Sequence, residues 1–294
     1  MSGALLFQSL ILGVLLGGLY ALLAAGLTLY FGVMRVVMIA HSAFLILAAY
    51  LAWYFHERTG IDPLVSLVFT IPLFFVVGVL VQRLLISRLK PLTLTMMSVL
   101  LTFSIALVIE GTLGFFFSGT QRRISLPYST ASIEILEANI PIVKLIAFGL
   151  AALSLLGLFL LMKLSRFGQA LRATMQNREA AQLIGIQTDT VTDYGFGLGL
   201  VTAAIGGTAL SLDATIYPSL HWHWIGPLMA IIVVGGLGSI PGAAIAAMLL
   251  GITQALLQLP LGQTWAQTIF YVALFATLAF RPQGFFGGRL AQRF

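Results

Sequence analysis

Charge is what this chain has least of. Among 294 residues only 8% are Asp, Glu, Lys or Arg, against about a quarter in a soluble globular domain. With 60% of the residues hydrophobic, too little polar surface remains to cover a soluble core, which excludes that class. Cysteine is absent, which excludes disulfides and thiolate metal ligands. No G-x-x-x-x-G-K-[ST] run occurs, so the chain has no phosphate-binding loop of its own. The first apolar run lacks the basic leader of a signal peptide, because no Lys or Arg precedes Arg35. At Ala4–Phe31 it is also too long for one, and it is expected to remain as a span. Flexible linkers and low-complexity tracts are missing too.

What is present is a series of long apolar runs, each able to cross a hydrocarbon core of about 30 Å as a helix. Nine segments are expected, over 4–31, 37–55, 64–85, 92–117, 140–162, 194–212, 225–240, 242–259 and 265–280. The seventh is short and meets its neighbour through Gly238-Ser239-Ile240-Pro241-Gly242, which reads as a helix break. The expectation is thus an all-α polytopic membrane protein of eight to ten transmembrane helices, some broken or half-spanning. It forms a single transmembrane domain over 1–294. Short loops rich in Lys and Arg stay cytoplasmic. Arg83, Arg88 and Lys90, the polar segment after the fifth span, and Arg281, Arg289 and Arg293 all fall on one side of the nine-span arrangement. That places the amino terminus outside and the carboxy terminus in the cytoplasm. The net charge of +6 follows from this bias and does not point to nucleic acid. Tyr217, Trp222 and Trp224 suit an aromatic belt at the outer interface. The outer loop 118–139 has room for a short amphipathic helix near 133–138. The many glycines in apolar runs suit close helix packing.

The polar segment 163–193 breaks the apolar pattern and holds four of the fifteen Lys and Arg residues. Within Arg166–Gln176, Phe167, Ala170, Leu171, Thr174 and Met175 share one helical stripe opposite Gln169, Arg172 and Gln176. Asn177 is placed to cap a second short helix through Glu179, Ala180, Ala181, Leu183 and Ile184, and Gly185 to end it in the left-handed region. Two readings remain open on spacing alone: an amphipathic element lying on lipid headgroups, or a thin hairpin entering a groove on another protein.

Glu179-Ala180-Ala181-x-x-x-Gly185 resembles the EAA loop by which ABC importer permeases dock onto their ATPase subunits. Ser165-Arg166-Phe167-Gly168-x-Ala170-x-Arg172-Ala173 and Leu183-Ile184-Gly185-Ile186 are similar to the LivH-type branched-chain amino acid permeases. So are Gly32-Val33-Met34-Arg35 with Ala40-His41, the run from Gly235 to Gly242, and Arg281-Pro282-Gln283-Gly284-Phe285-Phe286-Gly287. The resemblance implies an ABC importer permease fold and a passive translocation subunit. It implies a second homologous permease, two ATPase subunits that bind ATP and Mg, and a periplasmic solute-binding protein as partners, in a bacterial inner membrane. The chain itself is expected to hold no cofactor and to catalyse no reaction. Phe167, Leu171, Glu179, Ala180, Ala181, Leu183 and Gly185 become the candidate coupling residues, and 163–193 the coupling hairpin.

Four residues are candidates for the solute path. A charge at mid-bilayer costs about 2.5–3.5 kcal/mol on insertion scales, so Arg35, in FGVMRVVM, either lines a polar break or sits in a cytoplasmic turn. His41 and Ser42 open the second span where relatives commonly read Asn-Phe-Ala-His-Gly-Glu. Here the Asn, Gly and Glu positions are Met38, Ser42 and Ala43, so an acid and a flexible glycine are missing. Glu110, about seven residues inside the fourth span, needs a partner or water. Lys144 and Asp213 lie where interfacial water reaches them. His221 and His223 lack an evident third ligand for zinc, so no metal is expected. Ser239 lacks the G-x-S-x-G context of a nucleophile. The leading expectation is inward transport of a branched-chain or hydrophobic amino acid. Urea, an amide or an organic acid is the alternative solute, and an ion-coupled carrier or an intramembrane enzyme the alternative class.

Overall fold

The computed structural model describes residues 3–34, 36–89, 94–135 and 138–287. The described chain contains eleven α-helices, three short 3-10 turns and one small β-hairpin. The helices are α1 (Gly3–Met34), α2 (Ala40–Thr59), α3 (Leu67–Leu84), α4 (Leu94–Phe117), α5 (Ile142–Leu164), α6 (Arg166–Gln176), α7 (Arg178–Leu183), α8 (Thr188–Asp213), α9 (His221–Gly235), α10 (Ile240–Ala266) and α11 (Thr268–Phe280). α1, α3, α4, α5, α8 and α10 are long and apolar enough to cross a membrane. α2, at 20 residues, also has the length. The protein is a multi-pass, all-α membrane protein.

α8 is the centre of the bundle. It packs on α3, α2, α1 and α5, while α1 lies antiparallel along α10. Small residues make both seams possible. A Cβ on Gly251 would meet the Gly17 backbone at 2.6 Å, and one on Gly207 would meet the Ala48 Cβ at 2.8 Å. Such backbone proximity is how membrane helices gain dispersion contact without a hydrophobic driving force.

Two expected spans are half-spans. α9 has 15 residues and α11 has 13, about 20 Å of helix at 1.5 Å per residue, short of a roughly 30 Å core. Both start near the middle of α1: the Tyr20 ring lies 5.8 Å from Trp224 and 5.3 Å from Phe270, edge to face. Both descend toward the end of α1 that meets α6. α10 rises between them and breaks at Gly262, φ +77°, two residues after Pro260. Trp224 is therefore a buried core residue rather than part of an aromatic belt.

The opposite face carries β1 (Ser132–Ile135) and β2 (Ala138–Pro141), antiparallel with Ile133 opposite Ile140. Strands thus stand where the sequence suggests a helix near 133–138. Isoleucines alternating at 133 and 135 follow the strand period, and Ala138 and Ile140 bury against Leu15 of α1. The rest of this loop is tied down by Tyr128, whose hydroxyl donates to Asp62 Oδ2 at 2.6 Å. Burial first, then the Asp62 hydrogen bond and charge, push the Tyr128 phenol well above its usual range.

Candidate functional site

The hairpin of α6 and α7 projects from the face opposite the strands. Ser165 caps α6 by accepting from the Gly168 N–H at 2.8 Å, and Asn177 caps α7 by accepting from Ala180 at 3.1 Å. The N–H of Gly185 bonds back to Gln182 at 3.0 Å, with Gly185 at φ +84°. That conformation favours glycine and turns the chain into α8.

The candidate hairpin residues divide by burial. Leu171 is fully buried and Phe167 half-buried, the latter 6.3 Å from the Tyr194 ring of α8. The apolar stripe of α6 thus rests on the chain's own α1, α5 and α8, rather than on headgroups or in a partner's groove. Phe167 and Leu171 anchor the hairpin from beneath. Ala181 is also buried, and a bulky residue there would lift α7 off α8. Glu179, Ala180 and Gly185 are exposed. Leu183 and Ile184 are the outliers, 89% and 75% exposed at the tip. Ion pairs brace the base: Arg178 with Asp189 at 2.6 Å, and Arg83 of α3 with Asp193 of α8. Asp193 is the more buried partner of the second pair, and sequence spacing gives no sign of it because the residues are 110 apart.

The path candidates sit deeper. Arg35 lies outside the described residues. Between α1 and α2 the backbone at 36–39 is not helical, and Thr102 of α4 completes its hydrogen bonds: its hydroxyl donates to the Val37 carbonyl, and the Ile39 N–H donates to it, both at 3.2 Å. Non-helical backbone at membrane depth requires such a partner. α2 therefore begins well below the end of α1. His41 Nε2 bonds the Leu23 carbonyl at 3.0 Å, its ring 5.6 Å from Tyr30. Ser42 donates to the Ile39 carbonyl at 3.1 Å. Beside them, against Ile225, Leu228 and Met229 of α9, is a gap of about 10 Å³, at the lower limit for a single water. This conformation is closed to a solute at that level.

Glu110 does not join His41. Its Oε2 accepts from Trp222 Nε1 at 3.0 Å and lies 3.1 Å from His221 Nε2. The His221 side chain is 1% exposed. Glu110 thus clamps the first turn of α9, and His223 turns away to Gln267 at 3.0 Å. The two histidines have different partners rather than a common metal. α9 is the element shared by the three described path candidates, with Glu110 at its start and His41 and Ser42 one turn further on.

Of the helix-break residues, Ser239 caps α10 by accepting from the Gly242 N–H at 3.2 Å, and Pro241 lies in the first turn. The break itself runs through Gly236 and Gly238, at φ +97° and +83°. The tail closes over it. Phe285 donates its N–H to the Val234 carbonyl at 2.9 Å, and a Cβ on Gly284 would meet Gly236 Cα at 2.5 Å. Gly238 in turn touches Gly32 at the end of α1, and Gly32 lies against Met175 of α6. A continuous set of contacts therefore runs from the hairpin through Gly32 and Gly238 to α9.

The family model described as "Branched-chain amino acid transport system / permease component" matches residues 9–278. The chain belongs to this permease family. A "Probable branched-chain amino acid transport permease protein LivH" from Methanocaldococcus jannaschii is 28% identical over 93% of this chain and 90% of its own length. The "High-affinity branched-chain amino acid transport system permease protein LivH" of Escherichia coli is 28% identical over 95% of both chains. An "Autoinducer 2 import system permease protein LsrC" from Yersinia pseudotuberculosis is 30% identical over 45% of this chain and 40% of its own length. No solved structure matches it. This permease is thus a transport component that works with other subunits of an ABC system.

Proposed function

We propose that this permease is the membrane subunit of an ATP-driven importer that carries a branched-chain amino acid inward across a bacterial cytoplasmic membrane. It pairs with a second, homologous permease and receives solute from a periplasmic binding protein at the face carrying β1 and β2. Two ATPase subunits, which hold the ATP and Mg, dock on the opposite face. In this reading that face is cytoplasmic, since Arg83 and Arg88 belong to the α3 end and Arg166, Arg172 and Arg178 to the hairpin; the amino terminus is then outside and the carboxy terminus inside.

The observation that carries the reading is the tip of α7. Leu183 and Ile184 are 89% and 75% exposed on a polar hairpin whose base is held by buried Leu171 and Ala181. Two adjacent aliphatic side chains held out from a braced hairpin suit a pocket on another protein, where a few buried anchors carry most of an interface's energy. Displacement of the hairpin on ATP-driven closure moves Met175 against Gly32, and Gly32 against Gly238. α9 then swings as a rigid half-helix between the Glu110 clamp and His41, opening the gap at Ile225 and Leu228.

The solute class rests on the names that the LivH relatives carry. Reconstitution tests it: proteoliposomes holding this permease, its homologous partner, the ATPases and the binding protein are expected to accumulate labelled leucine only with ATP. Accumulation driven by a proton gradient without ATPases would make the protein a secondary carrier. ATP-driven uptake of urea, but not leucine, would correct the solute and leave the importer assignment standing.

A further inference from the structure

Beside the junction of α5 and α6 lies a cavity of about 540 Å³, within the roughly 300–1,000 Å³ span of ligand sites. Its walls are apolar: Leu158, Phe159 and Met162 of α5, Met175 of α6, and the turn between α9 and α10. Its rim is cationic, formed by Lys163 and Arg172. No acidic side chain among the described residues lines it, and the Lys163 ammonium lies 5.6 Å from the centre of the Phe159 ring. Lys163 sits in the last turn of α5, whose neighbouring side chains Leu156, Leu160 and Leu164 face outward, and Arg172 lies on α6 beside it. Apolar walls at membrane depth below two cations at headgroup level match an amphiphile with one anionic end.

We propose that this cavity binds an anionic phospholipid, with an acyl chain between α5, α6 and the α9–α10 turn and the phosphate on Lys163 and Arg172. The lipid would then touch both the hairpin and the turn that carries Gly238, the two elements through which hairpin motion reaches α9. The site depends only on the orientation of the cavity toward lipid, so it stands whether or not the transported solute is an amino acid. Each Lys or Arg near an anionic surface multiplies occupancy by about fivefold. Because both side chains are exposed, salt screening keeps the combined effect near the single-residue figure.

The test uses the full chain in proteoliposomes containing a trace of phosphatidylglycerol or of phosphatidylcholine, each with a photoactivatable group on the acyl chain. Labelled residues are mapped by mass spectrometry. Phosphatidylglycerol is expected to label Leu158–Met162 and Met175 at least about fivefold more than phosphatidylcholine. The double substitution Lys163→Gln with Arg172→Gln, both at exposed positions, removes that preference while general labelling of α4 stays unchanged. Equal labelling by the two lipids, a preference that survives the double substitution, or absence of label from these residues would each overturn the proposal. In the last case the cavity is covered by protein, and the occupant is another subunit.

Discussion

The α2–α8 seam makes a prediction in which one substitution has opposite signs at two positions. Gly207 of α8 lies directly on α2. A Cβ there would fall well inside van der Waals contact distance of the Leu45 carbonyl oxygen and 2.8 Å from the Ala48 Cβ. The obstacle is backbone, which cannot swing aside, so Gly207→Ala must push the two helices apart. Overpacking costs about 1–3 kcal/mol. A contact with main chain on both sides belongs at the upper end, so about 3 kcal/mol is offset by about 1 kcal/mol of helix propensity gained. The expected net loss is about 2 kcal/mol. At Gly111 of α4 an added Cβ would have nothing within 4 Å, so Gly111→Ala keeps the propensity term alone and gains up to about 1 kcal/mol. Reversible unfolding of the purified chain in mixed micelles with increasing denaturing detergent reads both. Equal effects at the two glycines, or no loss at Gly207, would refute the claim that backbone contact organises the bundle.

Two further predictions concern buried partnerships. Glu110→Ala leaves the buried His221 Nε2 and the Trp222 N–H without an acceptor and is expected to cost about 2–3 kcal/mol in the same unfolding assay, whereas Glu110→Gln keeps one acceptor oxygen and costs less. In the Arg83–Asp193 pair the side chains are 52% and 11% exposed. Removing Arg83 strands the more buried carboxylate, while removing Asp193 leaves a cation that water can reach. Arg83→Ala should therefore destabilise more than Asp193→Ala, with the double substitution close to the latter; the reverse order would contradict the assignment of Asp193 as the buried partner.

Local signals are legible where one residue decides the geometry. Asn177 and Gly185 bound α7 as their types require, and Ser239 and Pro241 open α10. Long apolar runs likewise mark the crossing helices. The half-span at α9 is legible, because its apolar run is short and ends at the Gly238–Gly242 break, whereas the one at α11 is not, because α11 is as apolar as the full spans. Their depth is set by contacts of Trp224 and Phe270 with Tyr20, far away in sequence. The same distance hides the partners of Glu110 and Asp193, each more than a hundred residues along the chain. The stripe on α6 is legible as a buried face, but its spacing carries no information on whether the covering surface is lipid, a partner or the chain itself. Sequence periodicity reports that a face is covered and is silent on what covers it.

The coupling role of α7 is tested most directly at its tip. Leu183→Asp with Ile184→Asp changes only exposed side chains, so the permease is expected to insert and unfold as the unchanged protein does. In the reconstituted importer the account predicts that ATP-driven leucine uptake falls at least tenfold, and that the ATPase subunits no longer co-purify with the permease. Full uptake with both aspartates in place would contradict it.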